Sequence, residues 1–302
     1  MDVSVVVIMF NPVLNKVYQT LDSIMMQKGI TYEVIICDDG SQRRYEREMY
    51  EYFAQKHFYS YTLLFHEHNH GTVANYLSGL ERARGKYTKV ISPGDRLTEE
   101  NTLSKWIRFT EEKNAIWSFA DAYYYHIVDG KEEYIKQRAH PQCIRAYLKE
   151  QKSKCIWDYI VLNDVTIGAA TIGRTQILCS YCKMIKDKGV LYAEDHLYRI
   201  MMFHGNVGCY YPHEAIYYEY VTGISTSSNR EWQKKLENDK KIVYQMIWAE
   251  EKPSGLQKRI QKASTKRRKI EKIFIRGKLT YWLKWHFYPR MTKIPKETEQ
   301  LR

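Results

Sequence analysis

The first third of this 302-residue chain is predicted to fold as α/β around a parallel sheet. Three observations lead there: short apolar runs alternate with amphipathic stretches, turn residues punctuate the junctions, and polar or acidic residues gather where the apolar runs end. The run Val3–Phe10 (VSVVVIMF) is broken only by Ser4 and reads as a strand buried on both faces. Residues 15–28 follow as a helix, with Val17, Leu21, Ile24 and Met25 at helical spacing and Gly29 as the stop. YEVIICDDGS is a second buried strand running into two acids and a turn. RYEREMYEYFAQKHF reads as helix, YTLLFHE as the third strand, GTVANYLSGLERARG as a helix closed by Gly85, and KYTKVI as the fourth strand. Ser92-Pro93-Gly94 then breaks the pattern, Asp95 stands at the strand's exit, and Thr98-Glu99-Glu100 reads as a helix start.

The order β-α-β-α-β-α-β calls for right-handed crossovers, and in such sheets ligands bind beyond the carboxyl ends of the strands. Three patches then share one edge: Met9-Phe10-Asn11, Asp38-Asp39-Gly40-Ser41 and Pro93-Gly94-Asp95. Further on, AIWSFADAYYYHIVDGKEEYIKQR reads as two strands around an Asp129-Gly130 turn. Residues 140–190 have little periodicity. VLYAEDHLYRIMMFHG is a helix with Leu197, Ile200 and Met201 on one face and Glu194-Asp195 in its first turn.

Composition narrows the class. Twenty-six tyrosines argue against disorder over most of the length. No apolar run approaches the ~20 residues of a membrane-spanning helix. The run at Val3–Phe10 is too short for a secretory leader and follows Asp2, which sets the expectation of a cytosolic protein. Cys179 and Cys182 form a CxxC with no second pair at zinc-ribbon spacing, so buried reduced thiols are preferred to a metal or redox site. His66, His68 and His70 are expected in a loop near the site, since Asn69-His70-Gly71 ends the strand before it. YVTGISTSS, from Tyr220, is either a mobile cover or a solvated linker.

Charge marks a boundary. Residues 253–302 carry 15 Lys/Arg against 3 acids, the whole of the net +12, while the rest of the chain holds 32 of each. Leu256, Ile260, Ala263, Ile270, Ile273 and Phe274 recur there at helical intervals, followed by the aromatic stretch LTYWLKWHFYP. An amphipathic segment on an anionic membrane is the first expectation, a solvated face the second and nucleic acid the third.

Taken together, VSVVVIMFN, TLDSIMMQ with YEVIICDDGS, NHGTVANYLSGLERARGKYTKVISPGDRL and EDHLYRIMM resemble the family-2 glycosyltransferases, inverting enzymes of the GT-A fold, over residues 3–205. The resemblance implies a nucleotide-sugar-binding half at 1–115 and an acceptor half at 116–252, ahead of the basic tail at 253–302 that the charge boundary marks. It implies that Asp39 contacts the base, that Phe10 flanks its ring, and that Asn11 and Asp38 belong to the same donor site. Family members show Asp-x-Asp-Asp where this chain has Ser92-Pro93-Gly94-Asp95, which leaves Asp95 as a lone ligand for Mg²⁺ or Mn²⁺. Asp195 is implied as the base that deprotonates the acceptor, with Glu194 shaping the acceptor pocket. A UDP- or dTDP-sugar donor and a lipid-linked glycan acceptor follow by analogy, as in capsule or O-antigen assembly on the inner face of the membrane. A nucleotide-binding protein of the same fold without transferase activity is the rival reading, and nucleic-acid binding through the tail a third.

Overall fold

The apolar runs of the first 91 residues, five to seven residues long and several rich in Val and Ile, become parallel strands, and the stretches of helical period between them pack on the two faces of the sheet. The computed structural model describes residues 1–135, 141–220 and 229–273, with side chains described as far as residue 266. The first half runs β1 (Val3–Met9), α1 (Leu14–Met25), β2 (Tyr32–Asp38), α2 (Glu46–Gln55), β3 (Tyr61–Phe65), α3 (Thr72–Arg82), β4 (Tyr87–Ile91), β5 (Arg96–Leu97) and α4 (Thr102–Glu112). The second runs β6 (Trp117–Val128), β7 (Lys131–Tyr134), α5 (Ile144–Leu148), α6 (Lys152–Val161), β8 (Thr171–Arg174) and α7 (Thr175–Asp187). It ends with α8 (His196–Phe203), β9 (Cys209–Glu219), α9 (Arg230–Trp248) and α10 (Gly255–Ile273).

The expected parallel sheet is present. Its order is β3-β2-β1-β4-β8-β6-β9-β5, with β7 paired to β6. The pairings β1–β2, β1–β4 and β2–β3 are all parallel, and they bring Met9, Asp38 and Phe65 to one edge. Alternation then divides the core. Val3, Val5, Val7 and Met9 face α1, α2 and α4, whereas Val6 and Ile8 face α3 and the helices of the second half. Ser4 is tolerated inside β1 because it donates to Glu33 Oε1 at 2.6 Å and accepts from the Gly85 amide at 2.8 Å.

The second half is joined to the first through β8, a strand the sequence did not single out. It runs antiparallel to both β4 and β6, while Ser118–Tyr125 of β6 runs parallel to Cys209–Glu219 of β9 with a bulge at Asp121. The expected hairpin forms with Asp129 and Gly130 both at positive φ, as its two-residue turn requires. The helix expected from Thr98 begins at Thr102 instead, because Arg96–Leu97 first pairs with β9.

α10 departs from the expectation of a membrane-facing segment. Ile260 is fully buried, Leu256 and Ala263 pack against the same core, and Trp248 Nε1 donates to Ser264 Oγ at 2.9 Å. Gln257 and Gln261 donate to the carbonyls of Phe203 and Ile247, each at 2.9 Å. The apolar stripe of the first turns is therefore spent on the body, since burial against protein satisfies it as well as lipid would. Phe274, the aromatic stretch 279–289 and the segment 221–228 lie outside the described residues.

Candidate active site

The carboxyl ends of β1 and β4, the loop before α8 and the end of β9 surround a cavity of about 530 Å³. Phe10, Asp39, Asp95, Glu194 and Asp195 all line it, so five of the seven residues singled out in the sequence meet at one site. Asn11 and Asp38 are not on its wall and build the loop behind it. Asn11, at φ +46°, takes the Gln42 amide on Oδ1 and gives its own amide to Ser41 Oγ. Asp38 accepts the Ser41 amide at 2.7 Å.

Asp39 is held by the loop before α3, accepting the amides of His70 and Gly71, each at 2.9 Å, one on each carboxylate oxygen. Each oxygen keeps a further lone pair for a ligand N–H or hydroxyl. Phe10 is 46% exposed and presents its ring at this end of the cavity. His66 bonds Ser78 Oγ at 3.1 Å beneath the same loop. Cys182 is buried on α7 and Cys179 partly so, both as free thiols.

Asp95 sits in a turn fixed from α1. Thr20 Oγ1 donates to the Asp95 carbonyl at 2.8 Å and accepts the Gly94 amide at 3.0 Å. Its carboxylate is buried and accepts the Glu219 amide at 3.0 Å. Burial pushes the Asp95 pKa up to about 7, helped by the charge of Glu219 and opposed by that amide and by Lys89. Lys89, the one charged residue of β4, is wholly buried, with Nζ on the carbonyls of Val90 and Ala169. Burial drives its pKa down to about 7, against the pull of Asp95.

The sequence did not reveal Glu219, whose carboxylate comes from a strand 124 residues beyond Asp95. Gly94 explains how it fits. At φ +104° the chain adopts a conformation suited to glycine, and any Cβ there would strike Glu219 Oε2. Where relatives are expected to carry an acid, this chain has a gap filled by a carboxylate from β9. Glu219 Oε1 is in turn paired with Lys16 Nζ at 2.5 Å, and Lys16 also lines the cavity. Among the described residues, no group of three or more His, Cys, Asp or Glu side chains converges as a metal cluster.

On the opposite wall, Asp195 is the N-cap of α8, yet its side chain makes no capping bond. It is left facing the cavity because the loop is anchored elsewhere. Buried Asp239 of α9 accepts the amides of Leu191, Tyr192 and Ala193 at 3.2, 2.7 and 3.0 Å. Desolvation at the cavity wall raises the pKa of Glu194 and Asp195, although the Asp195 side chain keeps 37% exposure. The charge of Asp195 adds to the rise at Glu194, whereas the Arg199 guanidinium opposes the rise at Asp195. His196 Nδ1 lies 3.8 Å from Asp195, but burial, with Arg199 and Lys240, holds that imidazole neutral. Arg199 is itself buried on α8, donating to the Tyr159 carbonyl, Tyr244 Oη and Asn163 Oδ1.

Residues 4–170 match the model of the family "Glycosyl transferase family 2", more than half of the chain, so the chain belongs to that family. Curated relatives include uncharacterized glycosyltransferases of Rickettsia bellii and Rickettsia conorii, each 28% identical over 134 residues. Those matches cover 44% of this chain but only 18% and 21% of the relatives' own lengths. Among solved structures, S. aureus TarS 1-349 in complex with UDP superposes with a TM-score of 0.57 at 14% identity, covering all of this chain and 78% of that one. The mannosyltransferase PcManGT of Pyrobaculum calidifontis, in complex with GDP-Man and Mn²⁺, gives 0.55 at 12% identity, covering 93% and 77%. The fold is that of these GT-A glycosyltransferases.

Proposed function

We propose that this chain is an inverting glycosyltransferase that moves a sugar from a UDP- or dTDP-linked donor to a hydroxyl of a glycan acceptor. The observation that carries the reading is the single cavity on which Asp39 and Asp95 of the first half meet Glu194 and Asp195 of the second. The nucleotide lies toward Phe10 and Asp39, where an aromatic face and an acceptor-only carboxylate can recognise a base. The diphosphate lies over Asp95. The acceptor enters beside Glu194, and Asp195 takes its proton as the oxygen attacks opposite the leaving group. A pKa raised by partial desolvation makes Asp195 a stronger base than a fully solvated carboxylate. The nucleotide and nucleotide-sugar complexes of the structural relatives support the donor class.

The donor set suits a divalent ion. Asp95 and Glu219 are hard oxygen ligands that meet beside Gly94, and the hydrogen bond and ion pair described occupy one oxygen of each. Mg²⁺ or Mn²⁺ held there would offset charge on the departing nucleoside diphosphate. The acceptor is lipid-linked in this reading, with the enzyme resting on an anionic inner membrane leaflet and serving capsule or O-antigen assembly. Because the first turns of α10 are packed on the body, the basic residues beyond position 266 make that contact, and 1–252 with those turns form the transferase unit. No helix of the described residues is long and apolar enough to cross a membrane.

Transfer from UDP-, dTDP- and GDP-sugars with and without Mn²⁺ tests the proposal. Turnover of one donor is expected, and Asp95→Ala should remove its metal dependence along with the activity. Nucleotide binding with no turnover of any donor would favour a silent nucleotide-binding protein of the same fold.

A further inference from the structure

Five carboxylates line the cavity, Asp39, Asp95, Glu194, Asp195 and Glu219, and among the described lining residues Lys16 is the one basic side chain. A nucleoside diphosphate entering that wall adds further negative charge, so a cation must meet it. Lys89 is near in space but is wholly buried and committed to two carbonyls. Lys16 is different. It stands in the first turn of α1, its side chain keeps 23% exposure against 3% for Glu219, and its partner is a carboxylate whose place beside Gly94 is fixed by the strand end. Val13, the residue capping α1, lines the cavity too, so the positive end of that helix borders the same space.

We propose that Lys16 is the diphosphate-binding cation of this chain, exchanging Glu219 for the phosphate oxygens when the donor enters. Glu219 holds the ammonium at the cavity wall in the free protein. The chain thus carries a built-in counter-charge where its acidic motif has been reduced to Asp95. The inference rests on the nucleotide-sugar reading above and assigns the leaving-group contact within it.

The test is calorimetric titration in EDTA, which isolates the protein's own charges. The ligands are UDP, dTDP and GDP, and then the parent nucleoside of the tightest binder. Lys16→Gln should weaken the diphosphate by about 10-fold or more, the loss expected for a charge-assisted hydrogen bond. The nucleoside should change less than about 2-fold, since it lacks the phosphates the charge serves. Lys16→Arg should restore most of the diphosphate affinity. Glu219→Gln should tighten the diphosphate, because it releases Lys16 from its competitor. Wild-type affinity in Lys16→Gln would overturn the assignment, as would equal weakening of nucleoside and diphosphate. Unchanged or weaker diphosphate binding by Glu219→Gln would overturn the exchange. If the wild type binds none of the three diphosphates in EDTA, the Lys16 assignment falls; if it binds none with Mn²⁺ added either, the nucleotide-sugar reading falls with it.

Discussion

Lys89 and Asp95 carry opposite displacements: a buried amine pushed down to about 7 and a buried carboxyl pushed up to about 7. Between pH 7 and 10.5 the unfolded chain keeps the Lys89 proton that the folded chain has released, so stability contributed at this site rises with pH there. Between pH 3.8 and 7 the folded chain holds the Asp95 proton that the unfolded chain has lost, so stability falls as pH rises. The pair is at its weakest near neutrality. Lys89→Met removes the upper limb, and thermal melts should show wild type gaining on the variant between pH 7 and 10. A constant difference would place the amine's charge elsewhere. Asp195 lends itself to a kinetic test. Asp195→Asn should retain donor binding while lowering transfer by about 10²–10⁴, the usual worth of a positioned base. In the wild type, burial should move the acid limb of the rate profile above the ordinary carboxylate range near ~4.

Elements were legible in proportion to how much of their pattern was local. The four strands from Val3 to Ile91 and the helices between them follow from apolar period, and Asp129-Gly130 announced its hairpin by turn chemistry. Asp39, Asp95 and Asp195 were legible as strand-end or helix-start acids in an expected order. Strand β8 was not, because four residues between two helices have no period to read. Glu219 and Lys16 were hidden for a related reason: each is an ordinary residue of its own element, and only sheet order brings them together. Helix α10 shows the converse, a stripe correctly placed at helical spacing whose partner the spacing could not name. Ile260→Ala should cost ~2–5 kcal/mol in denaturant unfolding, as for other buried Ile truncations. A solvated or lipid-facing Ile260 would lose almost nothing. Gly94→Ala should destabilise by ~1–3 kcal/mol, from left-handed strain and the displaced Glu219.

For the whole molecule, the packing of α10 changes where the tail can be cut. Deleting residues 267–302 should release the protein from anionic liposomes, with added salt doing the same to the full chain. Deleting from residue 255 should also lower stability, because Ile260 and Ser264 leave the body. Unchanged sedimentation after the shorter deletion would sink the membrane contact.

The position of β8 also bears on how the molecule comes into being on the ribosome. Its partners β4 and β6 are both made earlier, and the family-matched stretch ends at residue 170, one residue before β8 begins. A nascent chain halted there carries β4 with the side that β8 will cover still open and β6 still waiting for β8 and β9. Unpaired strand edges of this kind invite intermolecular pairing. The cavity wall needs residues as late as Trp232 and Leu236, so the site closes only after most of the chain has been synthesised. Expression of the matched stretch by itself should therefore yield aggregate, whereas the chain through residue 273 supplies its own edge covers.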